Sequence, residues 1–262
     1  MIALPEAHVF TRVRHRLVPR QLQVRRVVDL TPKMRRITLS GADLAGFTSP
    51  SPDDHVKLFF PLPGEDRPRM PDFSGEPMSL PEGTAAKTMI SPARDYTPRR
   101  YDPRSGELDI EFVLHGEGPA AIWAAQAKAG QWIGVGGPRG STIAPNDFDS
   151  YVLAGDETAL PSIARRLEEL PAKANVIVVA EVANADEQQP LPVNTIVYWL
   201  HRNGAAPGDL LERAMRTLEL PDGDCYVWLA CESRRAMVIR DHLTEQRGHP
   251  PEWVKAVGYW KE

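Results

Sequence analysis

The chain has 262 residues, 42% of them apolar and 25% charged, which is the composition of a globular protein able to bury one large or two modest cores. A net charge of −4 excludes a molecule built as a whole for nucleic acid or acidic membrane surfaces. Its two cysteines, Cys225 and Cys231, share one apolar run that separates them by about 20 Å when extended, which excludes a disulfide between them. There is no C-x-x-C pair, no apolar run of membrane length and no basic-then-apolar leader at the N-terminus, so a cytoplasmic location is expected.

In chain order, the first half reads as β. Strands are expected at 22–28, at 34–39, where apolar and polar residues alternate, and at 55–60. Residues 61–92, rich in Pro, Gly, Ser and charge, read as a long connection. Strands at 96–101 and 107–114 flank a turn at 102–106. A helix over 118–128 carries Pro119 in its first turn, and a strand over 131–135 follows.

The rhythm then changes to strand 150–154, helix 159–170, strand 175–180, strand 195–200, helix 208–218, strand 226–230 and helix 233–247. Near-continuous apolar strands alternating with helices imply βαβ units on a parallel sheet. The expected architecture is an N-terminal antiparallel β-barrel domain over 1–148 and a Rossmann-like parallel α/β domain over 149–262.

Arg94-x-Tyr96-Thr97 carries the chemistry that a flavin needs. Arg94 offers a forked cation for a pyrophosphate, Tyr96 an aromatic plane and Thr97 a hydroxyl. On a strand, residues two apart share a face, so Arg94 and Tyr96 point the same way. Four residues of this kind also suit a plain solvent-facing strand. About twenty positions on, His115-Gly-Glu-Gly118-Pro119-Ala120-Ala121 opens the helix expected at 118–128, where unpaired N–H groups favour an anion. An ordinary Gly-rich loop would look the same.

Gly155-Asp-Glu-Thr158 follows the first α/β strand, the position at which a doubly wound domain binds a nucleotide, although G-x-G-x-x-G is absent. Thr158 suits either a ligand or a helix N-cap. Glu181 ends the next strand, where an acidic residue can hold a ribose hydroxyl. Arg234 and Arg235 open the last helix and suit either a 2′-phosphate or solvated surface charge. No cluster has metal-ligand spacing.

As a set, several motifs resemble the siderophore-interacting proteins, bacterial ferric-siderophore reductases. They are Arg94-x-Tyr-Thr-Pro-Arg-Arg100-Tyr-Asp102, Phe112-Val-Leu-His-Gly-x-Gly-Pro-Ala-Ala121, Gly137-Pro-Arg-Gly-Ser141, Gly155-Asp-Glu-Thr-Ala-Leu-Pro161 and Gly258-Tyr-Trp260-Lys261. The resemblance runs from about Val24 to the C-terminus and implies the ferredoxin–NADP reductase arrangement, with an FAD barrel first and an NAD(P)H domain second.

The same resemblance implies an FAD site at Arg94, Tyr96, Thr97, His115, Gly118, Pro119 and Ala120, to which Val113 and Thr158 are added; Trp260, near the end, suits either a cover for the flavin face or a core aromatic. The resemblance further implies that Lys57, Arg139 and Lys261 form a cationic cluster for an anionic ferric siderophore, while Glu181, Arg234 and Arg235 are the residues expected, from their positions, to meet NAD(P)H. No residue is expected to act as acid or base, and no metal is expected to be held by the protein. Cys231 stands where many relatives have Gly. The end at Glu262, without the extension some relatives carry, favours NADPH over NADH or ferredoxin as donor. A monomer is expected. The alternatives are another NAD(P)H-flavin reductase on the same scaffold and a siderophore binder without catalysis.

Overall fold

The computed structural model describes residues 8–71, 90–116, 118–192 and 195–261. They form two compact units, one of residues 11–143 and one of residues 8–10 with 144–261. This partition differs from the boundary expected at 148/149. Phe148 is buried in the second unit, where it stacks on His8 at 3.7 Å and contacts Tyr226 and Trp253. Arg166 reaches back to the carbonyl of Pro145 at 3.1 Å.

In the first unit, period-two alternation puts Leu22, Val24, Ile37, Leu39, Leu58, Leu108, Ile110 and Ile133 on one face of an antiparallel sheet, where they form the core. The strands are β1 (Thr11–Arg14), β2 (Pro19–Thr31), β3 (Met34–Ser40), β4 (Val56–Phe59), β5 (Ala93–Tyr96), β6 (Pro98–Asp102), β7 (Glu107–Val113), β8 (Trp132–Gly136) and β9 (Gly140–Ile143), with helix α1 (Pro119–Gln126) before β8. Seven of them pair in the order β5-β4-β8-β2-β3-β7-β6, and β1 pairs separately with β9. Only Thr97 separates β5 from β6, the two strands at opposite ends of that order. The sheet therefore curls until its ends meet, which is the expected barrel, and the expected single strand 96–101 is broken at Thr97. Much of the expected connection over 61–92, residues 72–89, lies outside the described residues.

The opposite face of β7 carries Glu107, Asp109 and Glu111, all buried. Cross-strand register supplies their partners: Arg36 lies opposite Glu111, Thr38 opposite Asp109 and Arg100 opposite Asp109. Arg36 pairs with Glu111 at 2.5 Å, Thr38 donates to Asp109 at 2.5 Å, and Arg26 grips Glu107 through two bonds of 2.8 and 2.9 Å. Arg99 stands 3.6 Å from Glu111. The Arg99-Arg100 pair of the motif thus closes the barrel by neutralising this acidic ladder.

In the second unit, β10 (Ser150–Gly155), β11 (Asn175–Val182), β12 (Ile196–His201), β13 (Cys225–Glu232) and β14 (Val254–Trp260) form an all-parallel sheet in the order β12-β11-β10-β13-β14. Helices α2 (Leu160–Glu169), α3 (Asp209–Thr217) and α4 (Ser233–Asp241) connect the strands. The helix expected to 247 passes into a π-helical turn over His242–Gln246. Both cysteines are buried in β13 and free. The strand order reverses between β10 and β13, which makes their carboxyl ends the topological switch point of the sheet.

Candidate functional site

β5 sets the first half of the site. Tyr96 points into the barrel, where its ring lies 4.4 Å from Phe112. Phe112 meets Trp123 of α1, and Trp123 meets Phe60. Burial pushes the Tyr96 phenol well above its ordinary range, so it is neutral. Arg94, exposed on the same strand, donates to the carbonyl of Ala93 at 2.8 Å, and among the described residues no carboxylate pairs with it. Thr97 is buried at the break between β5 and β6.

Helix α1 packs on β5 and β7. Its N-cap is Gly118, with no side-chain cap, and its N1 residue is Pro119. The first turn leaves the N–H groups of Ala120 and Ala121 without intrahelical acceptors. The space where a Gly118 side chain would project is open. Val113 ends β7, half-buried, and His115 is exposed two residues later. An unneutralised guanidinium, a dry aromatic ring and an uncapped helix start are therefore gathered in one unit. This donor set fits a flavin dinucleotide, whose pyrophosphate takes the cation and N–H groups and whose ring takes the aromatic wall.

Two of the three expected substrate cations lie at one end of the same barrel. Lys57 is in register with Gly136, the residue before the turn that carries exposed Arg139. That turn is pinned. His15 donates its N–H to the carbonyl of Arg139 at 3.1 Å, and Ser141 donates to buried Asp54 at 2.8 Å. Burial raises the Asp54 carboxyl above its usual range. Lys57 pairs with Asp95 at 2.7 Å, directly across the β4–β5 ladder, with both side chains about half exposed. Such a pair contributes at most about 1 kcal/mol and gives way to a stronger anion. Lys261 is exposed just after β14, in the other unit.

At the switch point, Gly155 passes so close to β13 that a side chain would stand 2.5 Å from the carbonyl of Ala230. Thr158 is not a helix cap: α2 begins after Ala159. Its N–H and hydroxyl both donate to one oxygen of Asp156, at 2.9 and 2.5 Å. Glu181 is fully buried. Its oxygens accept the N–H groups of Gly208 at 2.7 Å and Leu211 at 2.8 Å, and Arg202 stands 3.3 Å away. It therefore anchors the start of α3 and presents nothing to a ribose. Arg235 is spent on Asp209 and Glu212, at 2.5 and 2.6 Å. Arg234 is exposed beside a cleft of about 530 Å³ lined by Pro207, Glu212, Glu232 and Val238.

Sequence reasoning missed Asp156, whose second oxygen accepts the indole N–H of Trp260 at 2.8 Å. Its only signal was its place in the Gly155–Thr158 turn. Among the described residues no group of His, Cys, Asp and Glu is arranged to hold a metal ion. Nor is any helix there long and apolar enough to cross a membrane.

Comparison with known proteins agrees with this layout. Residues 23–142 match the family model of the siderophore-interacting FAD-binding domain, and residues 148–262 match that of the siderophore-interacting protein. The NADPH-dependent ferric-chelate reductase of Escherichia coli is 34% identical over 95% of this chain and 95% of its own length. The ferric vibriobactin reductase ViuB of Vibrio cholerae is 31% identical over 94% of this chain and 90% of its own. The crystal structure of a siderophore utilization protein from T. fusca superposes with a TM-score of 0.86, at 41% identity and 97% coverage of both chains. The chain belongs to the siderophore-interacting protein family.

Proposed function

From that membership, we propose that the chain is an FAD-dependent reductase that passes electrons from NADPH to ferric iron held in an anionic siderophore, in the cytoplasm. One observation carries the reading. The barrel unit carries Arg94, which has no carboxylate partner among the described residues, together with the Tyr96–Phe112 pair and the uncapped helix α1 that packs on β5 and β7. The names of the E. coli and V. cholerae relatives support the reductase activity, and the former supports NADPH.

Bound FAD supplies the chemistry, accepting a hydride from the nicotinamide and giving up electrons singly. The protein supplies position and charge. Arg94 and the N–H groups of Ala120 and Ala121 hold the pyrophosphate, and Tyr96 and Thr97 hold the ring. His115, Val113, Gly118 and Pro119 shape the same cradle. Lys57, Arg139 and Lys261 attract the chelate by its negative charge, and the pinned turn gives Arg139 a fixed place. Arg234 is the cation left for a 2′-phosphate, since Arg235 is already neutralised. No side chain needs to take or give a proton. Fe(II) binds hard oxygen donors less tightly than Fe(III), so reduction releases the metal.

The test is an absorbance spectrum followed by anaerobic titration. The purified protein should be yellow, release FAD on denaturation, and bleach faster with NADPH than with NADH. A colourless protein that cannot be reconstituted with FAD would refute the reading. Flavin that neither nucleotide bleaches would point to ferredoxin as donor or to a binder without turnover. Replacing Lys57, Arg139 and Lys261 with Ala should weaken ferric-siderophore reduction and leave FAD bound; unchanged turnover would remove these cations from the substrate site.

A further inference from the structure

Asp156 is a buried carboxylate that the scheme above does not use. It is 2% exposed, at the carboxyl end of the central strand β10, where the strand order reverses. One oxygen builds the turn into α2 by accepting from Thr158, and an Asn or Ser would serve that turn as well. The other oxygen accepts the indole N–H of Trp260 at 2.8 Å. Burying a carboxylate is costly, and here burial pushes it up to about 6. Two oxygens that both accept are what a carboxylate provides and an amide does not.

The backbone of Trp260 is already fixed. Ser233, the first residue of α4, donates its hydroxyl to the Trp260 carbonyl at 2.9 Å. Gly258 lies so close to Ser233 that a side chain there would stand 2.8 Å from the Ser233 Cα. The preceding Tyr259 shares a hydrogen bond of 2.8 Å with Ser162 of α2. The β13–β14 register slips at Cys231/Glu232, so that Glu232 pairs with Trp260. What these contacts leave open is the indole's own rotation, and the bond to Asp156 fixes it. In an open parallel sheet, the carboxyl edge at the switch point is where a dinucleotide lies.

We propose that Asp156 is a positioning residue for hydride delivery: it fixes the Trp260 indole at the switch point and thereby sets the pose of the nicotinamide. This rests on the reading of the chain as a nicotinamide-dependent flavin reductase.

The first measurement needs no cofactor. Of the indole N–H signals in a ¹⁵N spectrum, the one lost in Trp260→Phe belongs to Trp260. In Asp156→Ala and in Asp156→Asn that signal should shift and exchange with solvent roughly tenfold faster, with the other tryptophans unmoved. Asn keeps the turn to Thr158 but sets an amide N–H against the indole, so it should not rescue. The second measurement is the anaerobic bleaching rate of the FAD-loaded protein at saturating NADPH. It should fall about tenfold in Asp156→Asn with FAD still bound, and fall no further when that change is added to Trp260→Phe. An unmoved Trp260 signal, or effects of Asp156 and Trp260 that simply multiply, would overturn the proposal. Trp260→Phe breaks the same bond without touching the carboxylate, so the cycle survives poor folding of the alanine variant. Wild-type protein that neither binds FAD nor bleaches with NADPH fails the functional reading alone, because the indole signal is read without either.

Discussion

The two units dispose of their charges in opposite ways. In the barrel, the buried carboxylates of β7 are matched by Arg26, Arg36, Arg99 and Arg100 on one face, while Arg94 and Arg139 stay exposed. In the parallel-sheet unit, the cations near the strand ends are largely consumed: Arg202 by Glu157 and Glu181, Arg235 by Asp209 and Glu212. A charged residue in a motif is therefore not yet a ligand-binding charge. What matters is how firmly the fold has already partnered it: a charge held by two carboxylates or by a buried one offers an incoming anion little, whereas a single exposed pair such as Lys57–Asp95 yields.

The largest effects should come from the carboxylates that the fold has used. Glu111→Ala removes the buried acid that Arg36 and Arg99 face and should lower stability by about 3 kcal/mol in urea denaturation. Glu181→Ala strips the start of α3 of its acceptor and should cost about 2 kcal/mol. If Glu181→Ala instead spares stability and raises the KM for NADPH, its carboxylate is a ligand and the contrast between the units fails. Next in size is Arg94→Ala. It should weaken FAD binding by roughly ten- to a hundredfold, seen by equilibrium dialysis, with stability changed by less than about 0.5 kcal/mol. A large loss of stability with FAD affinity intact would make Arg94 one more structural arginine.

The smallest effect concerns pH. His8 lies between Asp147 at 2.8 Å and Asp224 at 3.0 Å, and these carboxylates hold its pKa above the ordinary 6.5 against the opposing cost of burial. A raised folded-state pKa stabilises fully below about 6.5 and loses that contribution as pH climbs through the raised value. The melting temperature of the wild type should therefore drop across that window, and His8→Gln should flatten the drop. An identical slope in the variant would remove His8 from the linkage.

The architecture was legible wherever a strand buries one or both faces, since β2, β3, β7, β10, β11 and β13 show their period in the chain. The short β1–β9 pair and β14 escaped, because strands of four residues carry little pattern and Val254–Trp260 is mostly half-buried. At the site, the common face expected for Arg94 and Tyr96 follows from strand alternation, and the register of β5 with Leu58 and Val56 of β4 reproduces it. The state of Glu181 could not, because the N–H groups that claim it lie 27 and 30 residues away on a helix start. Asp156 was hidden for the same reason: its partner in the fold is 104 residues distant.

The most direct measurement is the capture of released iron by an Fe(II)-selective chromogenic chelator. The FAD-loaded protein, NADPH and a ferric tris-catecholate are mixed anaerobically. An FAD-dependent siderophore reductase predicts NADPH-dependent colour, about two Fe(II) per NADPH consumed, abolished when FAD is withheld. NADPH that bleaches the flavin without any Fe(II) appearing would contradict it.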